Sequence, residues 1–430
     1  MSNNKRRRKK KKGTAAVVAA LLAVLCAVLC IAVFLMYQWE KENERPEEKQ
    51  EEIKPEEQEE EKTEPQEEVL TEEEKLQNRI NEIISGMTLE EKAAQLFMIT
   101  PEALTGMDPV TAAGETTRKA LEEYPVGGII YFRKNLVNPE QVRTMTANIQ
   151  TYAMERTGLP LLLSVDEEGG SVTRFGNNPG FDFDASADMK AIGESGDPQQ
   201  AYELGERLGS FLYDLGINMD NAPDADVLSN PQNTVVRDRS FGSDCEVVSE
   251  MALAELRGLE SQGVIGMLKH FPGHGATAGD THEGYAYTDA SLEEMKANEL
   301  VPFADGIEAG VDVIMVGHIS CPQVTGDDLP ASLSEKMTTQ ILRQEMGYDG
   351  FLITDAMNMG AVSENYSSSE AAVAAIRAGI DMILMPQDFQ QAYEGILNAV
   401  ESGELTEERI DESLRRITAL KLKISGESVN

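Results

Sequence analysis

A single tryptophan, four histidines and four cysteines stand among 430 residues. Cys26 and Cys30 each follow a leucine, where a bacterial lipoprotein site needs a small residue, so lipid attachment is disfavoured. Cys245 and Cys321 lie far apart and show neither a disulfide framework nor metal-ligand spacing. Positive charge is also short: 38 Lys and Arg face 75 Asp and Glu, giving a net charge of -37. Summed negative charge repels polyanions, which excludes a nucleic-acid-binding surface. No internal repeat of solenoid type is visible.

The positive charge that exists is concentrated at the start, in the run Lys5 to Lys12. An uncharged run from Gly13 to Trp39 follows, long enough to span a bilayer at roughly 20 residues per hydrocarbon thickness. It lacks the short apolar region and small-x-small site of a cleaved signal peptide. The sequence therefore predicts a basic cytoplasmic tail over 1–13 and an uncleaved transmembrane signal anchor over 14–39. Tyr37 and Trp39 mark the outer interface. Residues 40–69 are dominated by Glu, Lys, Gln and Pro, with too few apolar groups to offset the entropy of ordering. They read as a disordered acidic linker that holds a domain outside the cytoplasm.

Globular character begins near Leu70, where Ile80, Ile83, Ile84 and Met87 recur at helical spacing. MTLEEKAAQLFMIT then leads from a helix into a strand. Eight candidate strands alternate with amphipathic stretches: LFMIT from Leu96, GGIIYF from Gly127, LLLSVD from Leu161, NMDNAP from Asn218, GMLKHF from Gly266, VIMVGH from Val313, FLITDA from Phe351 and MILMP from Met382. That count predicts an α/β (β/α)8 TIM-type barrel over 70–425, with a doubly wound open sheet as the alternative. No second large domain is expected after the helical stretch ELTEERIDESLRRITALKLK.

Polar residues close several of these strands: Asp166, Asp220, Lys269 with His270, His318 and Asp355. Barrel enzymes place their chemistry at those ends. All four histidines, His270, His274, His282 and His318, follow candidate strands. In KHFPGHGATAGDTH, from Lys269 to His282, glycines and Pro272 impose a loop that can bend close to a ligand. Asp280 stands two residues before His282, where it can fix the ring tautomer and raise its basicity for proton transfer. In GFLITDAMNMGAV an apolar strand delivers Asp355, either as a nucleophile or as the N-cap of a following helix.

These two segments, together with MTLEEKAAQLFMIT, VDEEGGSVTRF and RDRSFG, resemble family 3 of the glycoside hydrolases, and more closely its bacterial β-N-acetylglucosaminidase branch. The resemblance spans nearly all of the chain beyond the linker. It implies a retaining enzyme with Asp355 as nucleophile and an Asp280–His282 pair as general acid/base, in place of the usual second carboxylate. It also implies that Asp166, Arg174, Arg239, Lys269 and His270 hold the terminal sugar, while His274 braces the loop. Ala276 departs from the pattern, since an aspartate often follows GHG.

The expected substrate is a glycan ending in β-linked N-acetylglucosamine, met outside the membrane as peptidoglycan fragments. No cofactor, metal or nucleic acid is expected, and the chain is read as a monomer. The rivals that stay open are a zinc hydrolase using His270, His274, Asp280 and His282; an inactive membrane-tethered glycan-binding protein; and a glycoside phosphorylase or other β-glycosidase of the same family.

Overall fold

The computed structural model describes residues 70–277 and 286–426. The expected tail, anchor and linker, and the Asp280–His282 pair, lie outside the described residues. Among the described residues no helix is long and apolar enough to cross a membrane.

Each of the eight candidate segments contributes a strand: β1 Phe97–Ile99, β2 Gly128–Ile130, β3 Leu162–Val165, β4 Met219–Asp220, β5 Leu268–Phe271, β7 Val313–Val316, β9 Phe351–Thr354 and β10 Ile383–Leu384. Two further short strands, β6 Ala286–Tyr287 and β8 Ile319–Ser320, pair with each other in parallel. The main strands are buried at every position, as in β3 and β9. Parallel strands covered on both faces need continuous apolar runs, which is the pattern the sequence carries.

Parallel pairing runs β10-β1-β2-β3-β4 in one sheet and β5-β7-β9 in another. Single parallel bridges carry it across both seams: Met219 to Ile265 and Asp224 to Lys269 on one side, Ile353 to Met382 on the other. The architecture is an α/β fold of parallel sheets joined in a barrel-like ring.

Local signals explain the helices between strands. Thr88 and Glu91 form a reciprocal capping box that starts the helix Leu89–Gln95, and β1 begins two residues after it ends. Ile80 and Ile84 are the buried face of the helix Glu72–Ser85. Met87, read as part of that helical period, falls beyond its end. The interior is filled by aromatic and aliphatic side chains, with Phe97 edge-on to Phe389 at 5.4 Å and Phe271 edge-on to Phe303 at the same spacing. Each fully buried side chain of this size contributes about 1.5–3 kcal/mol. Because the ring strands run parallel, their carboxyl ends share one mouth, and the residues that follow β3, β4, β5, β7 and β9 meet there.

Candidate active site

The site is built from strand ends and the backbone turns that leave them. Asp220, at the end of β4, is fully buried and accepts the Glu167 N–H at 2.9 Å. Burial pushes its carboxyl well above the usual range. It therefore shapes the turn after β3 from below. Glu167 curls back on its own loop, accepting the N–H groups of Arg174 at 2.7 Å and Phe175 at 3.0 Å. That turn presents Asp166, whose Oδ2 accepts Arg174 Nη2 at 2.7 Å and whose Oδ1 accepts Asn221 Nδ2 at 3.1 Å. The Arg174 guanidinium lies 5.3 Å over the Phe132 ring, close enough for a cation–π contact.

Glu168, next in the same turn, is the centre of an ion-pair network. Arg239 binds it through two parallel bonds, Nε to Oε2 at 2.7 Å and Nη2 to Oε1 at 2.6 Å. Lys269, inside β5, sets Nζ against Glu168 Oε1 and donates to the Asn221 carbonyl. Burial opposes the Glu168 charge, yet Arg239 and Lys269 outweigh it and hold the carboxyl far below its ordinary value. Arg239 Nη2 also lies 3.4 Å from Asp224 Oδ2 and 3.2 Å from His270 Nε2.

His270 is anchored from the opposite side by Asp226, which is wholly buried. Asp226 Oδ2 meets His270 Nδ1 at 2.7 Å, and its Oδ1 accepts the backbone N–H groups of His270 at 3.3 Å and His274 at 2.5 Å. Burial works against a charged ring, but Asp226 prevails and raises the proton affinity of His270. Arg239, whose Nη2 lies against Nε2, pulls the other way without reversing the direction. His274 braces the stem of the loop. Its carbonyl accepts Asn233 Nδ2 at 2.9 Å, and burial lowers its proton affinity. Gly275 permits this close approach, since a Cβ there would sit 2.0 Å from the Val227 carbonyl oxygen.

Asp355 follows β9, its N–H donating to the Val316 carbonyl at 2.9 Å. Its Oδ1 accepts the Ala356 N–H at 2.7 Å. The next helix, Gly360–Ser363, is preceded by Met359 as N-cap, so Asp355 is not a capping residue. Burial would raise its carboxyl, but the charges of His270 and His318 and the Ala356 N–H leave it below its ordinary value of 3.8. His318 is fully buried, with Nε2 on the Ala356 carbonyl at 3.1 Å and Nδ1 against Ser332 Oγ at 2.8 Å. A carbonyl only accepts, so Nε2 carries a proton.

Residues 88–420 match the Glycosyl hydrolase family 3 N terminal domain. The chain belongs to glycoside hydrolase family 3. This family 3 chain is 33% identical over 331 residues to beta-hexosaminidase A of Pseudoalteromonas piscicida, a stretch that covers 72% of this chain and 55% of that protein. It is 36% identical over 271 residues to beta-hexosaminidase LpqI of Mycobacterium tuberculosis, covering 61% and 68%. Among solved structures it resembles a family 3 β-N-acetylglucosaminidase from Paenibacillus sp., with a TM-score of 0.74 and 40% identity over 80% of this chain and 64% of that one. The chain thus spans about half the length of the Pseudoalteromonas relative.

Asp166, Arg174, Arg239, Lys269 and His270 belong to one connected network, and Asp355 faces the charges of Lys269 and His270. Arg174 and Arg239 both pair with loop carboxylates. Glu168, Asp224 and Asp226 were not singled out in the sequence. Their only signal is acids clustered in the segments that leave strands, Asp166-Glu167-Glu168 directly after β3 and Asp224-x-Asp226 four to six residues beyond β4. Asp224, Asp226 and His270 also bring ligand atoms within 4.8 Å of one another. Both Asp226 oxygens already accept N–H donors, however, and Arg239 lies against Asp224 and His270. This donor set suits a guanidinium better than a metal cation.

Proposed function

We propose that this chain is a retaining β-N-acetylglucosaminidase that removes terminal β-linked N-acetylglucosamine, with peptidoglycan fragments as its substrate class. The observation that carries the reading is Asp355: a half-buried carboxylate kept ionised at a strand end, beside a cationic cluster. The family and the names of its relatives point the same way.

In this reading Asp166, Arg174, Arg239, Lys269 and His270 grip the sugar hydroxyls and acetamido carbonyl. Asp355 attacks the anomeric carbon while the His282 imidazolium gives its proton to the leaving oxygen. The bond to the aglycone breaks and a glycosyl–Asp355 ester forms. Neutral His282, oriented by Asp280, then takes a proton from water as that water displaces Asp355. The chemistry needs no metal.

The same reading takes residues 70–425 as a closed (β/α)8 barrel, supported by the pairing across both seams. It also places that domain outside the cytoplasm as a monomer, on an acidic linker over 40–69 and a membrane anchor over 14–39. The basic run before the uncharged stretch supports the topology.

The test is to incubate the full-length chain with 4-nitrophenyl N-acetyl-β-glucosaminide and with muropeptides, with and without phosphate, and to follow the released sugar by NMR. Free N-acetylglucosamine appearing first as the β-anomer is expected. The α-anomer, or a sugar 1-phosphate formed only with phosphate, would overturn the assignment.

A further inference from the structure

We propose that Glu168 is the positioning residue of the sugar clamp, fixing Lys269 and Arg239 in one arrangement through a single carboxylate; this rests on the glycosidase reading for the role of those cations. The two come from different parts of the chain, Lys269 from β5 and Arg239 from the excursion after β4. Neither neighbourhood fixes its cation alone. A lysine ammonium sits on a flexible stem, and an arginine is oriented only when its fork is matched by two acceptors.

Glu168 supplies both constraints. It takes Nε and Nη2 of Arg239 in a bidentate pair, which sets the plane of the guanidinium. Its Oε1 also holds Lys269 Nζ, whose second partner is the Asn221 carbonyl. Glu168 itself is only 2% exposed, so it acts through its partners and not on the sugar. Its neighbour Asp166 is half-way to solvent and pairs with Arg174.

The surroundings offer each cation a different second choice. Asp224 Oδ2 lies 3.4 Å from Arg239 Nη2, while Asp166 Oδ1 lies 4.0 Å from Lys269 Nζ. Without the Glu168 charge, Arg239 shifts toward Asp224 and Lys269 toward Asp166. Both buried charges stay compensated, so the fold survives, but the spacing between the two donors is lost. Removal of Glu168 therefore weakens sugar binding more than it weakens the fold.

The experiment compares Glu168→Gln and Glu168→Asp with wild type in the full chain. It measures kcat and KM on 4-nitrophenyl N-acetyl-β-glucosaminide, Kd for N-acetylglucosamine by calorimetry, and thermal unfolding. For Glu168→Gln, KM and Kd are expected to rise by about 10- to 100-fold, the scale of losing charge-assisted bonds. kcat should change by less than about threefold. Adding Arg239→Lys should cost less in the Glu168→Gln background than in wild type, because Glu168 acts through that guanidinium. A folded Glu168→Gln chain with wild-type KM and Kd overturns the proposal.

Should Glu168→Gln fail to fold, Glu168→Asp keeps the charge and only shortens its reach. A raised KM there supports the proposal, and a wild-type KM overturns it. A wild type that binds N-acetylglucosamine without releasing nitrophenol overturns the glycosidase reading alone, and the Kd comparison then decides for Glu168. A wild type that neither binds nor cleaves overturns both.

Discussion

Burial and cationic neighbours act in opposite directions on the Asp355 carboxyl, and the neighbours prevail. A carboxyl held below 3.8 is an anion throughout the range in which a histidine titrates. The acid limb of kcat/KM assigned to Asp355 should therefore lie below pH 3.8, and a limb one unit or more above that value would contradict the electrostatics. Asp355→Ala should lower kcat by at least about 10³-fold while leaving the Kd for N-acetylglucosamine within a few-fold of wild type; calorimetry on the variant checks this. His282→Ala makes a different demand. Under the proposed mechanism it removes the proton donor, so poor leaving groups should slow far more than nitrophenol, which departs without help. Equal losses on both substrate types would count against the role given to His282. These residues could be proposed from the sequence because each stands at a marked spot: Asp355 at the end of an apolar run, Asp280 and His282 at a fixed spacing in a glycine loop. Glu168 and Asp226 carried no such mark. Among 75 acidic residues, two more in the loops that follow strands look like solvated turns until the fold buries them against Arg239, Lys269 and His270.

At the scale of elements, the packing of the helices Pro198–Asp214 and Cys245–Ser261 rests on two glycines. A Cβ at Gly205 would lie 2.0 Å from the Glu255 carbonyl oxygen, and one at Gly258 would lie 2.3 Å from the Tyr202 carbonyl oxygen. Backbone meets backbone at this crossing, so neither side can yield by turning a side chain. Two effects compete in Gly258→Ala. Helix propensity favours alanine by about 1 kcal/mol, whereas overpacking a tight contact costs about 1–3 kcal/mol and more when the obstacle is backbone. The clash wins, and Gly258→Ala should lower the urea midpoint at unchanged m-value; an unchanged or higher midpoint would sink the argument. The second of these helices follows the excursion that carries Arg239 and Asp226, so loosening it should also raise KM. The main strands were readable from the sequence because burial on both faces demands unbroken apolar runs. The pair β6 and β8 was not, since two residues each give no periodicity to detect.

For the whole molecule, net charge and one buried amine predict opposite dependences of stability on pH. With a net charge of -37, self-repulsion grows as pH rises, which disfavours the compact state in alkali. Lys421, on the last helix, opposes this trend. It is 1% exposed and donates to Gln95 Oε1 at 2.7 Å, joining the last helix to the residue that precedes β1 by two positions. Gln95 in turn donates to the Pro125 carbonyl at 2.6 Å, so one polar chain ties the two ends of the ring to the approach to β2. Among the described residues no carboxylate is bonded to it, and burial pushes its ammonium down to about 7. The unfolded chain keeps its proton up to 10.5. Between these values the unfolded state binds more protons than the folded state, so this group makes stability rise with pH. The gain from pH 7.5 to 9 is about 2 kcal/mol, and below pH 7 the buried charge carries its full cost of about 5 kcal/mol. Lys421→Met removes the titration but leaves Gln95 Oε1 without its donor, which costs about 1–3 kcal/mol at every pH. The variant should therefore be more stable than wild type near pH 6, and its advantage should shrink and reverse by pH 10. Urea unfolding of both chains across that range measures the difference, and a pH-independent gap between them would show that Lys421 keeps its charge in the folded protein.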